Sequence, residues 1–426
     1  MGSKGRDQRA KRRLLLVAHA FPPNPAAGSA RAWRLYKYLP EFGYETHVIT
    51  ASRAVEPRER VQYVAVPKFK LIDMGLRVCL LPYDEAATWT LPALRAARRL
   101  MAQTPMDAVI STVPFLCDHV VGMALKTKYG TAWIADYRDP IVGNPFRKAH
   151  GISGWVDRFC DSRFFAHADR LVAVTDQARQ DWVKRCPEVA WKTAVIWNGF
   201  DPEEAIAPMP LPERPYRLIS HFGSFYYGRS PVPVLATARR LIERGALDPK
   251  TVRFRFVGFL DSHIEAQHKE LFERLAALGC LELLPQVSHA EALRQMMETD
   301  SLLLADNNGT SIGHTVPAKL FEYIRVCRPI LALTHSQSPV EHILAMSGAR
   351  FVTLTEEMEA AEADARLLQF LHLPTEPGTL SRDFLDQFNG RNQARKMAEL
   401  IDGILDARLS PGGTFTEETS KELVEV

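Results

Sequence analysis

Short apolar runs recur along the chain, each closed by glycine, proline or polar residues and followed by a stretch with helical spacing. The run 13–18 (RLLLVA) has the length of a buried strand. The next residues, HAFPPNPAAGSARAW, hold three prolines and one glycine, which forbid regular structure until a helix begins near Ser29 and continues to Leu39. A second strand over 45–50 (ETHVIT) completes a strand–helix–strand unit, whose strands pair in parallel. Further strands are expected at 108–111 (AVIS), 132–135 (AWIA), 170–174 (RLVAV) and 193–197, separated by helices over 118–129 and 155–167 and one capped by Thr175.

The segment 201–216 (DPEEAIAPMPLPERPY) contains five prolines, so it is poor in donors and reads as an interdomain linker. Beyond it the α/β pattern restarts. A strand at 217–221 leads through a glycine loop, FGSFYYGRSP, into a helix ending near Arg244. Strands follow at 252–258 and 281–284, with one helix over 262–278 and another over 290–298. The stretch 302–333 (LLLADNNGTSIGHTVPAKLFEYIRVCRPILAL) reads as strand, loop with Gly309 and Gly313, helix opened by Pro317, and strand. An amphipathic helix over 391–405 and a polar tail from Ser410 close the chain. The expected organisation is a basic tail (1–12), an α/β domain (13–200), the linker (201–216) and a second α/β domain (217–385). A terminal helix (386–408) and a disordered tail (409–426) complete it.

In open α/β sheets the chemistry gathers at the carboxyl ends of the strands. Thr315, Val316 and Ala318 would there present backbone N–H groups of a helix start, which attracts phosphate. Lys319 and Glu322 share one face of that helix, a cation for a diphosphate and a carboxylate for two ribose hydroxyls. His314, beside Gly313, falls near the same ligand. Arg229 in the other glycine loop offers a fork that suits phosphate oxygens. In the first half, Asp136, Arg138 and Asp139 crowd the end of the 132–135 strand.

Composition narrows the choices. The 426 residues exceed one ordinary core, and 24% charged with 46% hydrophobic residues describes a globular protein. A net charge of only +3 argues against a dedicated nucleic-acid binder. Six scattered cysteines without C-x-x-C suit a reducing compartment and neither a disulfide framework nor a zinc site, so the cytoplasm is the expected location. The absence of G-x-x-x-x-G-K, H-E-x-x-H, G-x-S-x-G and D-x-D removes support for P-loop, zincin, hydrolase and two-aspartate metal readings. A basic N-terminus (Lys4, Arg6, Arg9, Lys11, Arg12, Arg13) and the stretch 68–81 (KFKLIDMGLRVCLL) would attract an anionic membrane surface by about 1 kcal/mol per charge.

Taken together, the stretches LLLVAHAFPPNPAAGSARAWRLYKYLPEFGYETHVIT, WIADYRDP, ADRLVAVTD, VIWNGFDP, HFGSFYYGRSP and VPAKLFEYIRVCRPILAL resemble the GT-B glycosyltransferases grouped in family 4. The resemblance implies two Rossmann-like doubly wound parallel-sheet domains facing a cleft. It also implies a nucleotide-diphosphate sugar held by the second domain, an acceptor held by the first, and a last helix that returns to the first. Position by position it implies Glu322 for the ribose; Lys319, Arg229, Thr315, Val316, Gly28, Ser29 and Arg31 for the diphosphate; the loop Gln286, Val287 and Ser288 for the base; and Gly313 with His314 for the sugar. Where the family often carries a second glutamate, eight positions before Glu322, this chain has His314, and Ser224 replaces the usual arginine of the second domain's opening loop. The implied activity is sugar transfer to a glycan or lipid-linked glycan, without cofactor or metal and with retention of configuration; Asp136 or Asp139 would serve as base if it inverts. A nucleotide-sugar 2-epimerase and a non-catalytic GT-B subunit are the two other readings of the same pattern.

Overall fold

The computed structural model describes residues 11–24, 27–54, 56–67, 87–113, 115–144, 151–226, 228–306 and 313–409. Two compact units result, Met1–Asn198 with Gly390–Val426, and Gly199–Asn389.

The first unit is built on a parallel sheet of seven strands: β1 (Arg12–Val17), β2 (Tyr44–Thr50), β3 (Val61–Tyr63), β4 (Ala108–Val113), β5 (Ala132–Tyr137), β6 (Arg170–Ala173) and β7 (Thr193–Val195). Their order, β3-β2-β1-β4-β5-β6-β7, reverses direction between β1 and β4, the crevice where doubly wound folds bind ligands. Helices α1 (Ala27–Tyr38), α2 (Thr90–Gln103), α3 (Leu116–Tyr129), α4 (Gly151–His167) and α5 (Asp176–Arg185) connect the strands.

Alternation along β1 distributes the core to both faces. Leu15 and Val17 join Trp89, Ala93 and Ala97 from α2 and its approach, and Val121 and Leu125 from α3, while Leu14 and Leu16 pack with Ala32, Leu35 and Tyr38. A parallel sheet covered on both faces leaves its central strands no solvent side, which is why β4 and β5 are buried along their whole length.

The second unit repeats the plan with β8 (Arg217–Phe222), β9 (Val252–Val257), β10 (Leu281–Leu284), β11 (Ser301–Ala305), β12 (Ile330–Leu333) and β13 (Phe351–Leu354) in the order β10-β9-β8-β11-β12-β13. Its switch point lies between β8 and β11. The helices are α6 (Val232–Glu243), α7 (Ser262–Gln267), α8 (Lys269–Ala277), α9 (His289–Met297), α10 (Lys319–Arg325), α11 (Pro339–Ser347), α12 (Ala360–Leu371) and α13 (Arg382–Gln387). α14 (Gly390–Leu409) then packs in the first unit: Met397 and Ile401 are fully buried beside Leu14 and Leu16, each contributing about 1.5–3 kcal/mol of burial. Arg12 at the start of β1 pairs with Asp402 and Asp406 of this helix.

Several sequence expectations are corrected. The helix expected over 262–278 breaks at His268, whose backbone (φ −121°) leaves helical space, giving α7 and α8. The helix expected to open at Pro317 begins at Lys319 and is seven residues long; Pro317 and Ala318 form tight turns before it. Asp136 is the penultimate residue of β5 and not part of a loop. Arg12 and Arg13 of the basic N-terminus lie within β1, and the strand expected to reach Trp197 stops at Val195. The proline-rich segment 201–216 is tied to the second unit: Arg325 donates to the carbonyls of Asp201 and Glu204, Arg328 to that of Met209, and Arg214 pairs with Asp300. Lys4, Arg6 and Arg9 of the N-terminal cluster, the stretch 68–81, Gly309 and the tail from Ser410 lie outside the described residues. No described helix is long and apolar enough to cross a membrane.

Candidate functional site

In the second unit, β8 delivers His221 and Phe222 to its carboxyl end and then turns at Gly223, whose φ of +122° disfavours any residue with a Cβ. α10 is fastened to this edge by Tyr323: its buried hydroxyl accepts a hydrogen bond from the Phe222 N–H at 2.8 Å. The fastening carries Lys319 over the turn. A Cβ on Gly223 would lie 2.4 Å from Lys319 Nζ, so the glycine supplies the space that the ammonium uses.

Among the described residues, Lys319 Nζ has His221 Nε2 as a polar neighbour, 3.3 Å away. His221 Nδ1 faces the Leu303 carbonyl at 2.8 Å, and a carbonyl only accepts, so Nδ1 carries the proton and Nε2 is the acceptor. The ring is buried and stacks on Phe225 at 4.0 Å. Its burial, with the charges of Lys319 and Arg229, pushes the His221 pKa well below its ordinary value and keeps it neutral. Lys319 is itself lowered to about 7, first by desolvation and then by Arg229, with Glu322 opposing. No described ion pair includes Lys319. Arg229, in the loop after β8, lies with its guanidinium 5.7 Å from the Tyr226 ring. Two basic side chains thus come together where the backbone turns, an arrangement of charge that suits an anion.

Glu322, one turn along α10, is partly buried and lies 3.9 Å from His289 Nε2, which bonds Glu204 at 3.0 Å. Those two carboxylates raise the His289 pKa, Glu204 foremost by its hydrogen bond. Glu204, His289 and Glu322 bring ligand-type atoms within 4.8 Å of one another and are the described trio that could hold a cation. The loop carrying Gln286, Val287 and Ser288 runs from β10 into α9, with the Ser288 hydroxyl capping that helix by accepting from Glu291 N. Gln286 and Ser288 are exposed and Val287 partly so. Across the switch point, Gly313 (φ +83°), His314 and Thr315 are partly buried and Val316 is buried.

In the first unit, Gly28 sits in the first turn of α1 with Arg138 lying across it: a Cβ there would fall 1.2 Å from the Arg138 guanidinium. Arg138 Nε donates to Asp139 at 3.2 Å. Ser29 is buried, and its hydroxyl has no hydrogen-bond partner among the described residues. Arg31, expected at the diphosphate, is engaged within the first unit. It grips Asp136 with two hydrogen bonds of 2.8 and 2.7 Å and donates to the carbonyls of Ile196 and Trp197. Both partners are buried, so Arg31 and Asp136 form a brace joining α1, β5 and the segment after β7. Both carboxylate oxygens of Asp136 are therefore engaged by Arg31 and buried, while of the expected trio Arg138 and Asp139 stay partly accessible. His221, Tyr323, His289 and Glu204 were not singled out from sequence; a histidine ending a buried strand, as in RLISH, is the signal that marks His221.

The family described as Glycosyltransferase Family 4 matches residues 28–204, the span that carries Gly28, Arg31, Asp136, Arg138 and Asp139. Solved structures similar to the chain include sucrose-phosphate synthase from Thermosynechococcus elongatus, with 13% identity and a TM-score of 0.68 over 93% of this chain and 100% of that one. A glycosyltransferase from Rickettsia africae aligns at 13% identity and TM-score 0.61 over 93% and 99%. HepE of Anabaena, solved with UDP and glucose, aligns at 12% identity and TM-score 0.59 over 92% and 100%. At these identities the likeness establishes the fold, which is GT-B, and with the family-4 match over residues 28–204 the enzyme class is glycosyltransferase. No curated protein matches the chain by sequence.

Proposed function

We propose that this glycosyltransferase moves a sugar from a nucleoside-diphosphate donor to a glycan or lipid-linked glycan, retaining configuration and using no metal. The observation that carries the reading is the pair Lys319 and Arg229, two cations gathered at the Gly223 turn with Lys319 in no described ion pair. A diphosphate satisfies both, and they then stabilise the charge that develops as the sugar–oxygen bond breaks. The acceptor hydroxyl forms its bond to the sugar carbon while a leaving phosphate oxygen takes its proton, so no protein base is required. This agrees with the loss of Asp136 to its brace.

Glu322 would receive the ribose hydroxyls, the backbone of Gln286, Val287 and Ser288 the base, and Gly313 with His314 the sugar. In the first unit, the α1 turn at Gly28 and the unmatched Ser29 hydroxyl suit a further phosphate contact, and Arg138 with Asp139 the acceptor. Support for a nucleotide-sugar donor also comes from HepE, solved with UDP and with UDP-glucose. The cytoplasm, with contact to an anionic membrane surface, is the proposed location.

The test is a turnover assay over UDP-, GDP-, ADP- and dTDP-sugars with and without glycan acceptors. Acceptor-dependent release of nucleotide with one donor class is expected, reduced at least tenfold by Arg229→Met. Conversion of a donor without acceptor would favour an epimerase, and no turnover with any donor a non-catalytic subunit.

A further inference from the structure

We propose that His221 is a positioning residue that holds Lys319 over Gly223, and that nucleotide binding takes up a proton at this pair. The inference rests on the donor-binding reading above and extends it to a coupling between affinity and pH.

The geometry supplies the parts. The tautomer of His221 is fixed by the Leu303 carbonyl of β11, and its ring plane by the stack on Phe225. Nε2 is therefore a fixed acceptor aimed at Nζ, 3.3 Å away. Among the described residues, the charged groups facing Lys319 are Arg229 from the loop after β8, which repels a proton on Nζ, and Glu322 from its own helix, which attracts one. His221, from β8, is neutral and cannot compensate a cation. The free protein thus holds the amine where its charge is poorly supported, with a pKa near 7. A bound diphosphate places negative charge against Nζ and returns the pKa towards the ordinary lysine range, so above neutral pH a proton must enter with the nucleotide. His221 makes the uptake productive: the protonated amine keeps one N–H on Nε2 and turns the others to phosphate oxygens.

The test is calorimetry at pH 8 in buffers of different ionisation enthalpy, using whichever of UDP, GDP, ADP and dTDP raises the melting temperature most. At that pH the terminal phosphate of the nucleotide is already ionised, since its own pKa is about 6. Wild-type protein should take up roughly 0.9 proton per nucleotide, falling to about half at pH 7, and Kd should rise up to about tenfold per pH unit above 7. Lys319→Met should abolish the uptake. His221→Phe, which keeps the ring stack and removes the acceptor, should weaken binding at least about tenfold, and His221→Gln, whose amide reaches the Nε2 position, should recover most of it. Should His221→Phe fail to fold, the Gln and Lys319→Met variants carry the test. Nucleotide binding without proton uptake, or His221→Phe binding as tightly as wild type, overturns this proposal while leaving the donor site standing. Absence of binding by the wild type to every nucleotide defeats the donor-site reading itself.

Discussion

Asp136→Asn probes the buried brace of the first unit. Arg31 and Asp136 share two hydrogen bonds of 2.8 and 2.7 Å with both side chains out of solvent. Replacing the carboxylate by an amide leaves one acceptor and strands a guanidinium charge, and breaking a buried pair from one side costs about 3–5 kcal/mol. For a domain of roughly 200 residues that is a fall in melting temperature of about 6–20 °C. Asp139→Asn is the control: Asp139 and Arg138 remain partly accessible, so its loss should cost under about 1 kcal/mol. Replacing both members of the brace, Arg31→Met with Asp136→Leu, should recover part of the stability because no uncompensated charge remains. Urea unfolding of the variants, alongside their transfer rates under conditions where each is folded, decides the matter. An Asp136→Asn protein as stable as wild type but depressed at least about 100-fold in kcat would refute the brace and restore Asp136 as a catalytic group.

Other outcomes follow from single contacts. Gly28→Ala should displace the Arg138 guanidinium, which can swing away at little cost in stability, and so lower kcat about tenfold or more while the urea midpoint stays nearly constant; an unchanged rate would separate Arg138 from the reaction. Tyr323→Phe removes the acceptor for the Phe222 N–H and should destabilise the second unit by about 1–3 kcal/mol while weakening nucleotide binding, read by urea unfolding and calorimetry. Burial raises Asp161, beneath the Tyr137 hydroxyl, to about 6 despite Arg185. A folded pKa above the unfolded value near 4 means that stability is greatest with the group protonated and declines as pH rises from about 4 to 6, by about 2–3 kcal/mol. In urea melts between pH 4 and 8, Asp161→Asn should flatten that decline; a variant with the full decline would place its origin elsewhere.

The sheets were legible because a buried parallel strand is a continuous apolar run. RLLLVA and SLLLA leave no alternative to two-faced burial, and Thr175 announces its helix by the cap it makes to Ala178 N. Arg229 was readable as a cation in a glycine loop after a strand, and Lys319 as a cation on a helix face near the helix start. The brace was not: Arg31 and Asp136 stand 105 residues apart, and whether a charged residue near a strand end faces a ligand or a buried partner is decided by tertiary pairing. The short α10 was misjudged for a related reason. Pro317 is a good first helical residue by local rule, yet the chain uses it and Ala318 in turns that lead into Lys319 and bring the Tyr323 hydroxyl to Phe222. His221 carried no motif, and its meaning came from the Leu303 carbonyl on a neighbouring strand.

The central claim is that the second unit binds a nucleoside diphosphate through Lys319 and Arg229. Calorimetric titration of the nucleotide that most stabilises the wild type into folded Lys319→Met and Arg229→Met proteins tests it directly. The account predicts at least about a tenfold loss of affinity in each, since a hydrogen bond to a charged group is worth about 1.5–3 kcal/mol. Unchanged affinity in both variants would contradict it.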